Sequence, residues 1–418
     1  MQKINPDSNK TMRKKALKLI ILLGIVSLFG DIIYEGARSV NGPYLEILGA
    51  NAAIVGLIVG LGEFLGYGIR LISGYFSDKT KAYWFFTILG YGLLFTVPLL
   101  SLAGIWQIAG LFIVSERIGK ALRIPARDTI ISQSTKSIGT GFGFGIHEFL
   151  DQIGAIIGPL IFVVFFFFLG TSTKTIYDYQ VGYTFLWIPF ILLMVFVFIA
   201  YFLVKKPEEL EKTLENAKKE PDNLSKTFWL YLLFSFITTI GFVNFVLIGY
   251  HLKAYNLLSD EQIPLLYMIA MAVDAIIALI IGKTYDRLKN KKNNNKAGLL
   301  TLIIIPVFSF FIPFFAFSMN YIFIYISIII WGVVMGSHET IMRSAIADIT
   351  PFKKRGTGYG IFTTSYGLAL FIGSMLIGVL YEYSFTLLII SIMIIELISI
   401  PFFFMMWKTC TKGNDNCD

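Results

Sequence analysis

The feature that most constrains this chain is a series of about twelve apolar runs, each roughly 20 residues long, within 418 residues. A run of this length matches the hydrocarbon core of a bilayer, which an α-helix crosses in about 20 residues. Hydrophobic residues make up 56% of the chain and charged residues only 15%, a balance that is not typical of a soluble protein. The sequence therefore predicts an integral membrane protein, with spans at 17–45, 52–76, 83–102, 105–133, 138–170, 180–204, 227–255, 261–285, 297–318, 321–349, 356–381 and 384–407.

Small residues recur four apart within these runs, as in Gly56-x3-Gly60 and Gly62-x3-Gly66. This spacing lets membrane helices pack closely, whereas the strands of a membrane barrel alternate in hydropathy at every second residue. The charged N-terminus leads into a first run that is too long for a signal-peptide core, so we expect this run to be retained. The predicted fold class is an all-α integral membrane protein.

Lysine and arginine are distributed unevenly between the loops on the two sides of the predicted spans. Of the 35 in the chain, 26 fall in loops on one side, and only Lys174 and Lys253 fall in loops on the other; the rest lie in or near the spans. Basic loops stay cytoplasmic, so both termini are predicted to be cytoplasmic in a multi-pass protein of the cell membrane. The net charge of +8 follows from this asymmetry and does not indicate nucleic-acid binding.

A polar linker at 205–226 separates two halves that share sequence. GYFSDKTK at 74–81 matches GKTYDRLK at 282–289, and TGFGFG at 140–145 matches TGYGIF at 357–362. Duplicated six-helix halves are a transporter architecture in which the substrate binds between the halves near the bilayer midplane. The predicted organisation is a cytoplasmic segment 1–16, a six-helix bundle 17–204, the cytoplasmic linker 205–226, a second six-helix bundle 227–407 and a cytoplasmic tail 408–418.

The Gly-x3-Asp-[Lys/Arg] loops at 74–79 and 282–287 resemble the signature loop of the major facilitator superfamily (MFS). Within that superfamily, SERIGKALRIPARDTIIS at 115–132 and GFGFGIHEFLDQIGAIIGP at 141–159 resemble a poorly characterised group of prokaryotic permeases. The resemblance covers the whole chain and implies 12 transmembrane helices in two pseudo-symmetric six-helix bundles that work by alternating access. It also implies a central cavity lined by spans 1, 4, 7 and 10.

Two stretches depart from the patterns of the superfamily. After Arg117 in the fourth span, Lys120 and Ala121 stand where a polar residue and glycine are usual. Gly154-x3-Gly158-Pro159 resembles the motif of drug/proton antiporters but lacks the paired glycines that follow the proline. The motif favours export over import, and import by proton symport or uniport is the alternative.

The repeated loops and the neighbouring spans carry the predicted cytoplasmic gate. Its residues are Gly74, Asp78 and Arg127 in the first half and Gly282, Asp286 and Arg343 in the second. Each aspartate is expected at the N-terminus of a helix of the other half, where unpaired N–H groups and the helix dipole favour an anion. The alternative is that both loops are solvated turns.

Ionisable residues inside the first-half spans are the candidates for proton coupling. They are Asp31, Glu35 and Arg38 on the first span, Glu116 and Arg117 on the fourth, and His147 and Asp151 on the fifth. A charge in the bilayer costs several kcal/mol, about 3 or more, so such residues face water or a partner. Burial raises the pKa of a carboxyl group and a nearby arginine lowers it, so a carboxyl group between the two effects can exchange protons. A structural lattice of ion pairs is the alternative.

The second half carries fewer charges within its spans. Asp274 on the eighth span joins the predicted coupling residues, and the predicted substrate-cavity residues are Asn244, Tyr267, Trp331, His338, Glu339 and Tyr366. Glu396 on the last span receives no role from the sequence.

These patterns predict a secondary active transporter of a small solute, coupled to protons, and not an enzyme. No Walker A loop, HExxH or GxSxG motif occurs, and two cysteines without a neighbouring histidine predict neither a metal site nor a cofactor. The expected partners are an unidentified small-molecule substrate, protons and membrane lipid, with no nucleic acid, and the chain is expected to be a monomer. A membrane enzyme using His147/Asp151 or His338/Glu339, or a sensor that does not transport, remains the alternative of another class.

Overall fold

The computed structural model describes residues 6–135, 140–171, 173–207, 224–292, 297–350 and 355–412, and these contain helices and no strand. The α-helices are α1 (Pro6–Ile47), α2 (Ala52–Thr80), α3 (Tyr83–Gly92), α4 (Trp106–Thr135), α5 (Thr140–Leu169), α6 (Ile176–Thr184), α7 (Trp187–Leu203), α8 (Lys226–Gly241), α9 (Phe245–Ala254), α10 (Gln262–Lys292), α11 (Ile304–Ser309), α12 (Ile312–Ala316), α13 (Tyr321–Ser337), α14 (Arg343–Ile349), α15 (Arg355–Tyr383) and α16 (Phe385–Lys412). Short 3-10 segments continue α3 at Leu93–Thr96 and Pro98–Leu102 and precede α11 at Ala297–Ile303.

Eleven stretches of helix within the described residues are long and apolar enough to cross a membrane. The predicted span at 105–133 corresponds to α4, in which six charged side chains interrupt the apolar sequence. Large apolar side chains cover much of the outer surface; Phe168, for example, is 80% exposed. Exposed apolar surface of this extent is favourable in contact with lipid and unfavourable in contact with water. The prediction of an all-α membrane fold is confirmed.

The ends of the helices follow from local sequence. Gly49 after α1 and Gly170 after α5 have positive φ angles of 85° and 70°, a conformation that glycine adopts without steric cost. The Asn51 side chain accepts a hydrogen bond from the Ile54 N–H at the start of α2, at 2.9 Å. These signals set the short turns that reverse the chain between spans.

The described residues divide into two compact units. The first contains residues of 1–38 and 69–217, and the second contains residues of 39–68 and 218–418. The division therefore passes through α1 and α2 as well as the linker. The two six-helix domains predicted from the sequence repeat stay a prediction.

The second unit includes the end of α1 and the start of α2 because glycines there pack directly on other helices of this unit. A Cβ added to Gly42 would lie 2.1 Å from the Val246 carbonyl oxygen, and one added to Gly56 would lie 2.3 Å from that of Ser374. Both distances are far below van der Waals contact, so only glycine fits. Glu382 of α15 also accepts a hydrogen bond from the first N–H of α2, at 2.7 Å.

The two repeated segments were predicted to be loops, and this was wrong, because they continue the helices α2 and α10. They keep equivalent packing, each within its own unit. A Cβ added to Gly74 at the end of α2 would lie 3.5 Å from Pro125 of α4. One added to Gly282 of α10 would lie 3.4 Å from Thr340, between α13 and α14. The matching contacts agree with the duplication seen in the sequence.

Candidate functional site

Glycines of α5 bring this helix against α1 in the first unit. A Cβ added to Gly154 would lie 2.4 Å from the Leu28 carbonyl oxygen, and one added to Gly158 would lie 2.5 Å from another backbone oxygen of α1. The Gly154 position is also 3.0 Å from the Cβ of Asp31. The Asp31 side chain therefore begins beside the turn of α5 that carries Asp151.

Tyr34, one turn after Asp31 on α1, is surrounded by three cationic side chains. The guanidinium carbon of Arg117 lies 4.4 Å from the centre of the Tyr34 ring, the ammonium nitrogen of Lys120 lies 4.0 Å away, and the guanidinium carbon of Arg38 lies 5.8 Å away. Arg117 also donates a hydrogen bond to the Tyr34 hydroxyl, and Arg38 donates another at 3.3 Å. The electron-rich face and the hydroxyl of one tyrosine thus attract cations from α1 and α4.

Two glutamates lie among these cations. A carboxylate oxygen of Glu35 is 3.9 Å from a guanidinium nitrogen of Arg38. Glu116 lies between two arginines, 3.6 Å from Arg117 and 3.7 Å from Arg123. All five side chains are nearly buried. Removing one partner of a buried ion pair leaves an uncompensated charge and destabilises the protein.

Asp31 is close to both negatively and positively charged side chains. It interacts electrostatically with the carboxylates of Asp151 and Glu35 and with the cations of Lys120 and Arg123. Carboxylates on α1 and α5 are therefore neighbours within one group of cations. The structure brings together the predicted residues of the first, fourth and fifth spans.

His147 of α5 belongs to a hydrogen-bonded chain that crosses three other helices. Its Nε2 lies 2.8 Å from the Ser27 hydroxyl, which accepts a hydrogen bond from Arg127 at 2.8 Å and lies 3.2 Å from the Tyr91 hydroxyl. The Nδ1 of His147 is 3.7 Å from a carboxylate oxygen of Asp151, which is longer than a hydrogen bond. Ser27 is therefore the closer partner of this histidine.

Several residues of this site were not among the predicted site residues. Ser27, Tyr34, Tyr91, Lys120 and Arg123 join the predicted ones in what we call the charged network, which contains Ser27, Asp31, Tyr34, Glu35, Arg38, Tyr91, Glu116, Arg117, Lys120, Arg123, Arg127, His147 and Asp151. Helical spacing offered a signal for two of them, since Tyr34 is four residues before Arg38 and Lys120 is four after Glu116. Ser27 and Tyr91 carried no such signal because their partners are distant in the sequence.

The predicted gate residues have local contacts in their own units. Asp78 accepts a hydrogen bond from the Tyr83 hydroxyl at 3.2 Å, and Arg127 contacts Asp128 and Ser27. Asp286 is exposed on α10. Arg343 begins α14, and its side chain lies outside the described residues. The contacts predicted between the halves stay a prediction.

An ion pair that the sequence did not indicate ties α10 to α14 near the second repeated loop. Lys289 of α10 lies 2.7 Å from a carboxylate oxygen of Asp348, and the Tyr285 hydroxyl donates to the same carboxylate at 2.7 Å. This pair fixes the end of α10 on the end of the tenth predicted span.

Three of the predicted substrate-cavity residues are packed inside the second unit. Asn244 caps α9 through a hydrogen bond from the Val246 N–H at 3.0 Å, and the Trp331 indole donates to the Val243 carbonyl at 2.8 Å. Tyr267 packs on Phe245 with 4.5 Å between ring centres. Asn244 is 1% exposed, and Tyr267 and Trp331 are 0% exposed. These three side chains take part in packing and capping, and their place in the substrate cavity stays a prediction.

His338 and Glu339 lie where the tenth predicted span changes its winding, and Tyr366 lies on α15. Residues His338–Met342 form a π-helical turn between α13 and α14, a feature that is common at functional sites. His338 Nδ1 is 3.1 Å from the Tyr366 hydroxyl of α15. Asp274 of α10 is 2% exposed and packs beside Gly336, since an added Cβ there would lie 2.7 Å from its carboxylate.

Glu396 of α16 has a structural partner that the sequence did not reveal. The Thr238 hydroxyl of α8 donates to its carboxyl group at 2.6 Å, and a Cβ added to Gly241 would lie 2.3 Å from the other carboxyl oxygen. Glu396 is 0% exposed. It therefore joins α16 to the last turn of α8.

Comparison with known proteins places this chain among transporters. The sequence pattern of the Major Facilitator Superfamily matches residues 20–374. The chain is 36% identical to uncharacterized protein Rv2265 of Mycobacterium tuberculosis over 394 residues, which are 93% of each chain. It is 26% identical to the uncharacterized MFS-type transporter MJ1317 of Methanocaldococcus jannaschii, over 91% of this chain and 92% of that one.

The fold is also similar to that of a solved transporter. The crystal structure of the peptide transporter POT in complex with alafosfalin matches with a TM-score of 0.70 and 12% identity, over 98% of this chain and 99% of that chain. At this identity the likeness concerns the fold alone.

Proposed function

Because the chain belongs to the Major Facilitator Superfamily and is therefore a multi-pass transporter and not an enzyme, we propose that it couples the movement of its solute to protons. The single observation that carries this proposal is the placement of Asp31 beside the turn of α5 that bears Asp151, among the cations of α4. Carboxylates on two helices are thus the residues best placed to exchange a proton.

The physical argument concerns like charges in a membrane. Two neighbouring carboxylates repel each other, and in a poorly solvated place one of them holds a proton. Cations close to a carboxylate act in the opposite direction, because they stabilise its ionised form. A small change in the distance between α1 and α5 therefore alters the proton affinity of the pair. Proton release would accompany the helix movement that opens one side of the transporter.

We propose export, in exchange for protons, as the direction of transport. The support comes from Gly154 and Gly158, which resemble the drug/proton antiporter motif and which pack α5 directly on α1. In that position the glycine pair controls the spacing of Asp31 and Asp151. Proton symport or uniport into the cell is the alternative, and it requires no such glycine pair.

The remaining functional assignments belong to the same proposal. The distribution of lysine and arginine supports cytoplasmic termini in the cell membrane. The repeated loops support a cytoplasmic gate made by Asp78 and Asp286. The transporter is proposed to work as a monomer in contact with lipid, with a small molecule and protons as its only ligands.

Flux measurements in proteoliposomes test this function. Neutral, cationic and anionic solutes are loaded one at a time, and their movement is followed with the pH gradient inward, outward and absent. We expect one solute class to move against its own gradient when protons run the other way. Equal flux in all three conditions would make the protein a uniporter, and movement together with the protons would make it a symporter.

A further inference from the structure

Two breaks in helix geometry meet inside the second unit. The seventh predicted span is interrupted between α8, which ends at Gly241, and α9, which begins at Phe245; Phe242 and Asn244 are extended. The tenth predicted span contains the π-helical turn His338–Met342. The Phe242 ring stacks on the His338 ring, with 5.1 Å between centres and 27° between planes.

Such breaks are informative in a membrane protein. A regular helix satisfies its own backbone groups, and interrupting it in the bilayer is tolerated where the freed groups meet protein, water or a ligand. In transporters, interrupted helices form the substrate site. Two interruptions in contact with each other therefore mark this part of the second unit as a candidate substrate site.

His338 provides a second, independent observation. It is 3% exposed, and its Nδ1 is hydrogen-bonded to the Tyr366 hydroxyl. Its Nε2 is buried and has no hydrogen-bond partner among the described residues. A buried polar atom without a partner costs about 1–3 kcal/mol, so most native structures avoid it unless a ligand or water completes it.

The rings around His338 form a wall. Tyr366 contacts Tyr67 edge-on at 5.1 Å and stacks on Phe362 at 5.9 Å with 26° between planes. We call this set of rings the aromatic wall. It comes from four different stretches of the second unit and consists of Phe242, His338, Phe362, Tyr366 and Tyr67. Phe242 and Phe362 are buried and also stack on Trp331 and Tyr231, whereas Tyr366 and Tyr67 are half-buried. These two tyrosines therefore offer stacking and edge-on contacts to another flat ring.

We propose that the aromatic wall binds a planar aromatic part of the transported solute, and that a hydroxyl or amide of this part hydrogen-bonds to His338 Nε2. The inference rests on the proposed function only in assuming that the protein transports a solute. It does not depend on proton coupling or on the direction of transport. It assigns a solute class with two requirements: a ring and a polar hydrogen-bonding group on it.

Three small probes separate these requirements. Phenol has a ring and a hydroxyl, toluene has the ring alone, and cyclohexanol has the hydroxyl without an aromatic ring. The full chain is purified with 15N-labelled histidine, and each probe is titrated while the histidine 15N shifts and the thermal unfolding midpoint are recorded. The His338 signals are assigned by their loss in His338→Phe.

We expect phenol to shift the His338 Nε2 signal with saturation, at a concentration at least tenfold below that needed for toluene or cyclohexanol. Phenol should also raise the unfolding midpoint of the wild type, and His338→Phe should abolish this rise. His251→Phe is the matched control. His251 also pairs through Nδ1 with a tyrosine hydroxyl, that of Tyr381 at 2.9 Å, and its buried Nε2 also has no partner among the described residues, but it lies on α9 beyond the break. It should retain the response.

Equal effects of the three probes would overturn the proposal, as would a phenol response that persists in His338→Phe or disappears in His251→Phe. Because binding is measured without flux, failure of proton coupling in proteoliposomes leaves this result unaffected. A phenol response in a protein that shows no flux would instead count against transport while keeping the binding site.

Discussion

Arg117 of α4 lies over the ring of Tyr34 of α1, with 4.4 Å between the guanidinium carbon and the ring centre, and also donates a hydrogen bond to its hydroxyl. This one tyrosine therefore holds α4 to α1 in two ways. Lys120 shares the same ring at 4.0 Å. The contact sets where the cations of α4 stand relative to Asp31.

Substitutions of Tyr34 should separate the two interactions. Tyr34→Phe keeps the ring and removes the hydroxyl, so we expect the free energy of unfolding to fall by about 1.5–3 kcal/mol, as for hydrogen bonds to charged groups. Tyr34→Leu should cost about 0.5–2 kcal/mol more because the cation–π contacts are lost as well. Unfolding in mixed micelles measures both. Tyr177→Phe, at a tyrosine that is 71% exposed, is the control, and equal losses in the two phenylalanine variants would contradict this account.

The approach of α5 to α1 depends on Gly154. We expect Gly154→Ala to lower the unfolding midpoint and to reduce proton-driven flux, because the added methyl group would lie 2.4 Å from the Leu28 carbonyl oxygen. Gly145→Ala on the same helix is the control, since no atom lies within 4 Å of its added Cβ. That variant should be unchanged or more stable by up to about 1 kcal/mol, from helix propensity. A Gly154→Ala protein that matches the control would show that the glycine spacing is not needed.

Thr238 and Glu396 should act as a pair that stabilises the second unit. Thr238→Val removes the donor to a carboxyl group that is 0% exposed, so we expect a loss of about 1–3 kcal/mol. Glu396→Gln retains an acceptor for Thr238 and should cost less. Unfolding curves of Thr238→Val, of Glu396→Leu, which removes the acceptor, and of the double variant give the coupling energy. Additive losses would mean that the hydrogen bond contributes nothing.

The cytoplasmic gate predicted from the repeat can be tested through accessibility. Asp78→Asn should increase labelling of single cysteines placed near the cytoplasmic ends of α4 and α5 and decrease labelling on the other side. Lys289→Gln is a useful comparison, because it breaks a contact to Asp348 within one unit. Identical labelling of Asp78→Asn and wild type on both faces would leave the repeated segments without a role as a gate.

The parts of the fold that depend on apolar length and helical spacing could be predicted from the sequence. The length of the apolar runs placed the spans, and charges within these runs marked the residues of α1, α4 and α5 that the structure brings together. Contacts between distant parts of the chain could not be predicted, because nothing local encodes them. Ser27 lies 120 residues from His147, and its hydroxyl takes the place beside the imidazole that spacing had favoured for Asp151.

The predicted substrate-cavity residues of the second half stay predictions for a related reason. Trp331 on the tenth predicted span and Tyr267 on the eighth are large aromatic residues, and their rings pack on Phe245. The interruption that exposes a carbonyl to the Trp331 indole contains no proline. Packing decides whether an aromatic ring belongs to a core or to a binding wall, and the sequence does not show packing.

Coupling through Asp31 is the central claim, and the most direct measurement is the flux of one transported solute in proteoliposomes that carry Asp31→Asn. Flux is recorded with a pH gradient and as equilibrium exchange without one, and Glu148→Gln, an exposed acid of α5 one turn from Asp151, serves as the control. We predict that Asp31→Asn loses gradient-driven accumulation by at least tenfold while equilibrium exchange continues, and that Glu148→Gln keeps both. Gradient-driven accumulation that survives in Asp31→Asn would contradict the claim.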